Sequence, residues 1–497
     1  MSGFEYNISI QELMARLQIL EIRGDFKDGR ISAVTNDSRK AKSDAVFVCL
    51  RGTLKDGHDF IDHAIEQGCR TIILEEFPKE RLAGISYVRV PNTRVAYAEL
   101  NAVLFGDPQA RLTIVGVTGT NGKTTVSTLL YKLFNKMGKA SGLISTIDVR
   151  TPNRILGSGL TTPDAGELRK YMADMVEDGC QFVFMEVSSH ALDQQRTIGL
   201  DFSLAIFTNI SRDHLDYHGN FKNYLGAKKK LFDHLSEQAI ALVNKDDKNG
   251  RVMLQNCNAR KYTYGIKSLA DFKGKILENT LEGLHLRIGD HEVFTRLTGA
   301  FNAENLLAVF SAAVLLGMPE EEVLTALSGL APIEGRMELI VDPTTGFKAI
   351  VDYAHSPDAL EKLLKTVHSI RDNGRIIAVV GCGGDRDRGK RPQMAKIACS
   401  LSDQLILTSD NPRTEDPMHI IEDMMKGVNE DCTLNLLTIV DRKQAIKTAC
   451  RLTTNQDVIV VAGKGHETYQ EINGVRHLFD DRKIIENEFE AMKKMKK

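Results

Sequence analysis

The chain has 497 residues, of which 42% are hydrophobic and 26% are charged, and its formal net charge is −2. This composition is typical of a soluble globular protein of about three domains, and the charge argues against a nucleic-acid coat or a basic membrane anchor. No signal peptide is predicted, no apolar run approaches about 18 residues, and the eight cysteines form no CxxC pair. We therefore expect a cytoplasmic protein with reduced thiols that binds neither nucleic acid nor membrane.

The first segment, residues 1–107, predicts a small α/β unit. Apolar runs at 45–50 and 71–76 predict strands, and an amphipathic pattern over 60–68 predicts a helix between them. The Gly-Asp-Pro sequence at 106–108 is typical of a linker, so we place a domain boundary after residue 107.

The second segment, residues 108–335, opens with a strand at 112–117, a glycine turn, and a helix from Thr124 to about residue 137. Alternating apolar and polar residues over 270–300 predict antiparallel strands, and a helix follows at 303–317. Continuous apolar runs predict further strands that are covered on both faces. These runs lie at 182–187, 202–207 and 239–244.

The third segment, residues 336–497, predicts a second open and largely parallel sheet, because strands alternate with helices along it. The predicted strands lie at 349–354, 375–381, 404–409 and 457–462. The predicted helices lie at 357–370 and 417–428.

A glycine-rich sequence, GVTGTNGKTT at 116–125, lies between the first strand and helix of the second segment. Glycines allow backbone N–H groups to wrap a phosphate chain, Lys123 reaches the β and γ phosphates, and the Thr124 hydroxyl suits Mg²⁺. The strict P-loop pattern has glycine where this chain has Val117. The sequence predicts a nucleotide site, and the alternative is a glycine turn with an incidental lysine.

Other polar residues have two interpretations each. Glu186 ends a buried strand and is a candidate metal ligand, or else a hydrogen-bonded carboxylate. His214 and His218 have the spacing of a helical zinc pair, but no third ligand is evident. Lys228 lies in a run of three lysines that is typical of an exposed basic helix face. The sequence DNPR at 410–413 follows a strand and is either a ligand site or an Asn-Pro turn.

Motifs in all three segments resemble those of the Mur ligase family, and most closely its members that build UDP-muramyl tripeptides. The match is weaker in the first segment, where it rests mainly on Asp37-Ser38-Arg39. The matching motifs are TGTNGKTT (118–125), TTPDA (161–165), EVSSHAL (186–192), TNISRDHLDYHG (208–219), FNAENLLA (301–308), GCGGDRDRGKRP (381–392), DNPRTEDP (410–417) and AGKGHE (462–467).

The resemblance implies a three-domain α/β architecture with a central P-loop ATPase-like domain and a C-terminal Rossmann-like domain. Residues 1–107 would bind the UDP substrate, residues 108–335 would bind ATP, and residues 336–497 would bind the incoming amino acid. The implied ATP-binding residues are Gly119, Thr120, Asn121, Gly122, Lys123, Thr124, Asn302 and Arg336. Asn302 would contact adenine, with helix capping as the alternative, and Arg336 would contact nucleotide, with an interdomain salt bridge as the alternative.

The resemblance also implies a catalytic and metal-binding set. Lys123, Glu186, His214 and Lys228 would be catalytic, and Mg²⁺ would be held by Thr124, Glu186, His214 and Lys228. Lys228 would carry a carbamate (N6-carboxylysine), because a neutral amine adds CO₂ and becomes an anion.

Two acceptor sites are implied. The UDP-muramyl peptide would contact Ser38, Thr161, Thr162, Ser188, Gln194 and Arg196. The incoming diaminopimelate would contact Arg386, Asp410, Asn411, Pro412, Arg413, Gly463 and Glu467. His355 also matches a family position, but we assign it no role.

The implied reaction joins meso-diaminopimelate to the D-glutamate γ-carboxylate of UDP-N-acetylmuramoyl-L-alanyl-D-glutamate through an acyl phosphate. It consumes ATP, requires Mg²⁺, and serves peptidoglycan synthesis and hence cell shape and division. We expect a monomer whose partners are small-molecule substrates. The alternatives are a relative that adds L-lysine, a folylpolyglutamate synthetase, or a P-loop nucleotide switch without ligase activity.

Overall fold

The computed structural model describes residues 7–24, 29–52, 55–157, 160–429 and 434–495. Three large sheets are built from residues 21–89, 113–295 and 338–462. Among the described residues, no helix combines the length and the apolar character needed to span a membrane. The cysteines described as free are all buried: Cys49, Cys69, Cys180, Cys257, Cys382 and Cys450.

The first sheet has four parallel strands and one antiparallel edge strand. In sheet order the strands are Glu21–Arg23, Ser86–Arg89, Thr71–Leu74, Ala45–Val48 and Ala33–Thr35. Its helices are Ile10–Met14, Ile61–Glu66 and Thr93–Leu104. Val46 packs with the first and third helices, whereas Phe47 packs with the second, so alternate residues of one strand face opposite layers. The predicted strands and helix are confirmed.

The second sheet has eleven strands, and its central seven are parallel. In sheet order they are Ile155–Gly157, Val149–Arg150, Ser141–Ile144, Phe182–Glu186, Thr113–Thr118, Phe202–Phe207, Ile240–Asn244, Arg260–Gly265, Phe272–Asn279, Leu284–Ile288 and His291–Thr295. The last three pair antiparallel, as their alternating sequence predicts. The helices are Lys123–Lys136, Ala165–Glu177, Ser189–Asp193, Leu215–His218, Phe221–Asp233, Gly250–Met253, Ala300–Leu315 and Glu320–Ser328.

The central strands are continuous apolar runs because both of their faces are buried. Val115 and Phe184 pack beneath the helices Lys123–Lys136 and Ala300–Leu315. On the other face, Ile114 packs in the layer that includes side chains from helices 165–177 and 221–233. Helices therefore cover both sides of the sheet.

The third sheet has six strands and is parallel apart from its first strand. In sheet order they are Glu338–Val341, Lys348–Asp352, Val458–Ala462, Ile376–Cys382, Gln404–Ser409 and Leu436–Thr438. The helices are Pro357–Ile370, Lys390–Leu401, Pro417–Met425, Arg442–Leu452 and Asp481–Met495, and a separate hairpin joins Tyr469–Ile472 to Val475–Leu478. The predicted open parallel sheet is confirmed.

Strand order brings the predicted motifs to common edges. Thr113–Thr118 and Phe182–Glu186 are parallel neighbours, so the glycine loop and Glu186 lie at the same edge of the central sheet. Ile376–Cys382 lies between Val458–Ala462 and Gln404–Ser409, so the loops that follow these three strands emerge together. These edges are where ligands bind in open α/β sheets.

Candidate active site

The glycine-rich loop has the geometry of an anion-binding turn. Gly119 has φ 153° and a Cβ there would collide with the Thr208 hydroxyl, so the position requires glycine. The following helix begins at Lys123, which turns unpaired backbone N–H groups and the positive end of the helix toward the loop. Val117 lies within the preceding strand, so its difference from the strict pattern leaves the turn intact.

Two lysines converge on one carbonyl oxygen of this loop. Lys123 Nζ donates to the oxygens of Gly119 and Thr120 at 2.9 and 2.8 Å, and Lys228 Nζ donates to the Gly119 oxygen at 2.7 Å. Lys228 is only 1% exposed, so its interpretation as part of an exposed basic helix face is wrong. Burial lowers the pKa of Lys123 and holds the pKa of Lys228 well below its usual value, and the Lys123 ammonium lowers the pKa of Lys228 further.

Glu186 is fully buried at the end of its strand. Its carboxylate accepts from the backbone N–H of Thr146 at 2.7 Å and from the Thr146 hydroxyl at 3.3 Å. The same hydroxyl contacts Thr161 Oγ1 at 3.0 Å. Glu186 is therefore a hydrogen-bonded carboxylate with a fixed orientation, which does not exclude its use as a ligand.

The histidines after the strand Phe202–Phe207 do not form a zinc site. His214 lies in the left-handed region with φ 53°, and His218 contacts Ser189 Oγ at 3.0 Å through Nε2. Across the described ranges, no cluster of three or more His, Cys, Asp or Glu residues is arranged to hold a metal ion. Desolvation by the surrounding protein lowers the pKa of His214 to about 4. Even so, 42% of the His214 side chain is exposed to solvent.

The C-terminal segment contacts the phosphate loop directly. Arg336 Nη2 donates to Thr124 Oγ1 at 3.1 Å, and the Arg336 guanidinium lies 4.5 Å from the centre of the Tyr353 ring. No salt bridge to Arg336 is found within the described residues, so the expected alternative of an interdomain ion pair is wrong. Arg336 instead links the first turn of the helix Lys123–Lys136 to the third sheet.

A second contact between these segments is centred on Asp358, in the first turn of the helix Pro357–Ile370. Asp358 Oδ2 accepts from Asn121 Nδ2 and from Ser211 Oγ, both at 2.8 Å. Asn121 belongs to the phosphate loop and Ser211 to the TNISRDH motif. The sequence did not single out Asp358, because its partner in the loop lies 237 positions away.

The connection between the second and third sheets has an unusual backbone. Gly335 and Met337 have φ angles of 63° and 48°, so Arg336 lies between two residues in the left-handed region. A Cβ at Gly335 would collide with the backbone nitrogen of His466. The connection is thus closely packed against the loop that follows the strand Val458–Ala462.

Asn302 does not cap its helix. The helix Ala300–Leu315 begins after Gly299 without a side-chain cap, and Asn302 Nδ2 instead donates to the Thr298 oxygen at 2.8 Å. Asn305 Nδ2 donates to Asn302 Oδ1 at 3.1 Å. A Cβ at Gly122 would lie 2.6 Å from Asn305 Oδ1, so these paired asparagines lie against the phosphate loop. Asn305 was outside the candidate set; its spacing of three residues from Asn302 was the available signal.

A groove of about 400 Å³ lies between the first and second sheets. Gln194 and Arg196 line it from the second segment, and Lys55 and Arg94 line it from the first. Arg196 donates to Gln194 Oε1 at 2.8 Å and to the Thr162 oxygen at 2.8 Å, which fixes its guanidinium. The groove is therefore rich in cationic and amide groups.

Hydroxyl groups connect this groove to the central sheet. Thr162 Oγ1 donates to the Glu186 carbonyl at 2.8 Å and accepts from the Ser188 N–H at 3.1 Å. Ser188 also caps the helix Ser189–Asp193. Ser38 is separate from them: it is buried in the first segment and contacts His63 Nδ1 at 2.9 Å.

The guanidinium of Arg413, in the DNPR loop, is only partly hydrogen-bonded to the described residues. Arg413 has φ 52°, and its Nη1 donates to the Gly384 oxygen at 2.7 Å. Over the described ranges, its Nε and Nη2 make no hydrogen bond, which leaves that edge of the guanidinium available. Arg386 is exposed on the neighbouring loop, and a Cβ at Gly383 would contact both arginines.

Acidic and amide groups of the DNPR (410–413) and AGKGHE (462–467) motifs also lie close together. Asn411 Nδ2 donates to Glu467 Oε2 at 2.8 Å, and a Cβ at Gly463 would collide with Asp410 Oδ2. Pro412 is buried beside them. The sequence missed Lys464, which is fully buried and hydrogen-bonded to this cluster.

A buried ion-pair network joins the two loops. The fully buried Arg391 donates to Glu415 at 2.7 and 3.0 Å and to Asp423 at 3.0 Å. Glu415 also accepts from the Asp385 N–H at 2.5 Å, and its hydrogen bonds with Arg391 hold its pKa at about 2. The network stabilises the loop of Arg386 against the loop of Arg413.

Three family models match the chain in succession. They are described as the Mur ligase family catalytic domain, over residues 30–112, the Mur ligase middle domain, over residues 117–313, and the glutamate ligase domain of Mur ligases, over residues 335–465. Together they extend over most of the sequence.

Curated relatives match over nearly their full length. A protein of Parabacteroides distasonis is 52% identical over 92% of this chain and 94% of its own length. One of Bacteroides thetaiotaomicron is 48% identical over 97% and 99%, and one of Clostridioides difficile is 37% identical over 96% and 98%. All three are named UDP-N-acetylmuramoyl-L-alanyl-D-glutamate–2,6-diaminopimelate ligase.

Solved structures have the same fold. A structure of a UDP-N-acetylmuramoyl-L-alanyl-D-glutamate–2,6-diaminopimelate ligase has a TM-score of 0.69 at 34% identity, covering 98% of this chain and 99% of its own. The MurF ligase of Thermotoga maritima in complex with ADP has a TM-score of 0.61 at 18% identity, covering 93% and 98%.

Proposed function

The chain belongs to the Mur ligase family, and from this premise we propose that it adds meso-diaminopimelate to UDP-N-acetylmuramoyl-L-alanyl-D-glutamate. It is an ATP-dependent ligase that forms an amide bond at the D-glutamate γ-carboxylate, with release of ADP and phosphate. This places it in peptidoglycan synthesis. The three relatives described above, which bear this activity in their name, share 37–52% identity with the chain over 92–97% of its length.

The observation that carries the proposal is that the second and third segments approach the glycine-rich loop, residues 118–125, from two sides. The groove contacts the central sheet through Thr162 and Glu186, and Glu186 pairs with Val117 immediately before the loop. From the other side, Arg336 and Asp358 of the third segment contact the loop. A ligase needs this arrangement, since both acceptors must reach the same phosphoryl group.

The residues proposed to hold Mg²⁺ include oxygen ligands of the kind this ion prefers. Mg²⁺ prefers oxygen ligands and usually takes only one or two from the protein, with phosphates and water supplying the rest. The Thr124 hydroxyl and the Glu186 carboxylate meet that need, whereas a His214 nitrogen is a weaker ligand for this ion. When bound, the ion would neutralise charge on the β and γ phosphates.

Lys228 is the proposed site of carbamylation. Its amine would attack CO₂ and lose a proton, which yields a carbamate anion. The reaction requires the neutral amine, and the burial that lowers the pKa of Lys228 favours that form. The anion would replace one of two cations now held at the Gly119 carbonyl and provide a further oxygen ligand.

The chemistry proceeds in two displacements. A γ-carboxylate oxygen of D-glutamate attacks the γ-phosphorus, and ADP leaves, which gives the acyl phosphate. The diaminopimelate amine then attacks the acyl carbon, phosphate leaves, and the amine loses a proton. Lys123 and the helix N terminus stabilise the charge on the phosphates, and Arg196 orients the first acceptor. Contact between the domains excludes water from the acyl phosphate.

The second acceptor is proposed to bind at the loops of the third sheet. Arg386 and Arg413 would bind its carboxylates, because a guanidinium pairs with a carboxylate through two parallel hydrogen bonds. Asp410 and Glu467 would bind an ammonium, with Gly463 allowing close approach. His355 remains without an assigned role.

The mass of the product provides the decisive test. The purified chain is incubated with ATP, Mg²⁺, the UDP-dipeptide and an equimolar mixture of meso-diaminopimelate, L-lysine and L-glutamate. We expect a single UDP-tripeptide that carries diaminopimelate, with phosphate release that requires both acceptors. A lysine product would assign the chain to a lysine-adding relative, and phosphate release without acceptors would contradict ligase activity.

We also propose domain boundaries at residues 107 and 335 and a monomeric, cytoplasmic enzyme whose partners are its small-molecule substrates. Light scattering coupled to size-exclusion chromatography would test the monomer, and limited proteolysis would test the boundaries. A stable dimer, or first cleavage within one of the three sheets, would contradict these statements.

A further inference from the structure

Lys464 is a fully buried cation between the loops 410–413 and 463–467, where the incoming amino acid is proposed to bind. It follows the strand Val458–Ala462, and its ammonium donates to Glu467 Oε2 at 2.9 Å and to Asn411 Oδ1 at 3.0 Å. Asp410 Oδ1 lies 4.0 Å away. A buried charge is unfavourable unless it is paired and hydrogen-bonded, so this lysine requires all of these partners.

The lysine determines which atoms of Asn411 remain for a ligand. Asn411 Oδ1 accepts from Lys464 and from the backbone N–H of Glu471 at 2.9 Å, so both of its lone pairs are used. Asn411 Nδ2 donates one hydrogen to Glu467. The Asn411 amide therefore has no acceptor left for a substrate ammonium and has one N–H left for a substrate oxygen.

The net charge of the cluster formed by Asp410, Asn411, Lys464 and Glu467 also suits a substrate ammonium. The formal charges of Asp410, Glu467 and Lys464 add up to −1, which a single ammonium on the substrate would balance. The nearby groups add little to this sum: the Tyr469 ring centre lies 5.4 Å from Lys464 Nζ, and Arg442 pairs with Asp481 at 2.7 Å. Without Lys464, the two carboxylates would repel each other, and Glu467 would lose the partner that orients it.

We propose that Lys464 is a positioning residue that sets the geometry and the net charge of the site for the ammonium of the incoming amino acid. It acts through Asn411 and Glu467 and does not itself touch the substrate. The proposal rests on the proposed function, since it assumes that these loops bind the second acceptor.

The test is Lys464→Met, which keeps an unbranched side chain one heavy atom shorter and removes its charge. We expect the KM for diaminopimelate to rise about thirty-fold or more, as is typical when one partner of a buried charge pair is removed. The KM values for ATP and the UDP-dipeptide should stay within about twofold. Lys443→Met is the matched control, because it removes an exposed lysine from the same domain. Equal changes in all three KM values would overturn the proposal.

A double-mutant cycle with Glu467→Gln separates positioning from general structural support. If Lys464 acts through Glu467, the loss in the double variant will be smaller than the product of the two single losses. Losses that multiply would contradict the proposal. Lys464→Gln replaces the ammonium with neutral N–H donors, and it is the variant to use if the melting curve of Lys464→Met shows that it is unfolded.

The outcomes distinguish this proposal from the proposed function. A wild-type chain that does not ligate diaminopimelate would refute the function. A wild-type chain that ligates it, together with a folded Lys464 variant of unchanged KM, would refute only the role of Lys464.

Discussion

Arg413→Ala should change the amino-acid preference of the enzyme. Diaminopimelate and lysine share the reacting amino-acid end, and diaminopimelate has one additional carboxylate. Arg413 is half-buried, and within the described part of the chain its guanidinium makes one hydrogen bond, from Nη1 to the Gly384 oxygen. Its open edge therefore suits bidentate binding of that carboxylate, and lysine as substrate would leave the cation unpaired.

The structure narrows the expected loss of kcat/KM for diaminopimelate in Arg413→Ala. Removing one partner of a buried, hydrogen-bonded charge pair costs about 2–5 kcal/mol. Because Arg413 is only half-buried, the lower part of that range applies, about 2–3 kcal/mol, which corresponds to a loss of roughly thirty- to 150-fold in kcat/KM. Alanine and arginine are similarly disfavoured at φ 52°, so the substitution adds little backbone strain.

The assay compares kcat/KM for meso-diaminopimelate and L-lysine in the wild type and in two variants. Arg413→Ala should lose most activity with diaminopimelate and far less with lysine. Arg451→Ala is the control, because this residue lies in the same domain, has a side chain that is 64% exposed, and forms an ion pair with Glu488, outside the two loops. A wild type that prefers lysine, or a variant that loses both substrates equally, would refute the reasoning.

Four further substitutions test other parts of the structure. Lys123→Ala should abolish ligation at saturating ATP without lowering the melting temperature, and near-normal turnover would contradict the phosphate loop. Lys228→Ala should be almost inactive and be partly restored by short carboxylates, which would replace the carbamate; an active alanine variant with an unmodified lysine in the wild-type map would disprove the modification. Asp358→Ala removes an acceptor of two interdomain hydrogen bonds and should raise the KM for ATP by about tenfold, since a hydrogen bond to a charged group contributes about 1.5–3 kcal/mol. An unchanged KM would show that this contact is absent from the catalytic conformation. Arg442→Met leaves Asp481 buried and unpaired and should destabilise the fold by about 3–5 kcal/mol in urea unfolding, whereas a loss below about 1 kcal/mol would show that the pair is not needed.

The sheets could be predicted from the sequence because their strands are buried on both faces. A run such as 202–207 is apolar at almost every position, and the structure confirms this strand with the predicted ends. The phosphate loop was predictable for a similar reason, since its glycines and Lys123 are adjacent in the chain. Local patterns of this kind depend on neighbouring residues alone.

Contacts between distant residues could not be predicted in this way. Lys228 lies 109 positions from Gly119, and its lysine-rich surroundings are typical of a surface helix. Lys464 lies between two glycines, a pattern usual for an exposed loop, but it is buried against Asn411, which lies 53 positions away in the chain. The resemblance to the family predicts a functional role for Lys228, but it does not show that Lys228 shares a carbonyl oxygen with Lys123.

The connection around Arg336 has a consequence for product release. A rotation of the third domain about residues 335–337 would move Arg336 away from Thr124. The same movement would separate Asp358 from the phosphate loop. Opening between these domains would therefore remove both contacts from the loop proposed to hold the nucleotide.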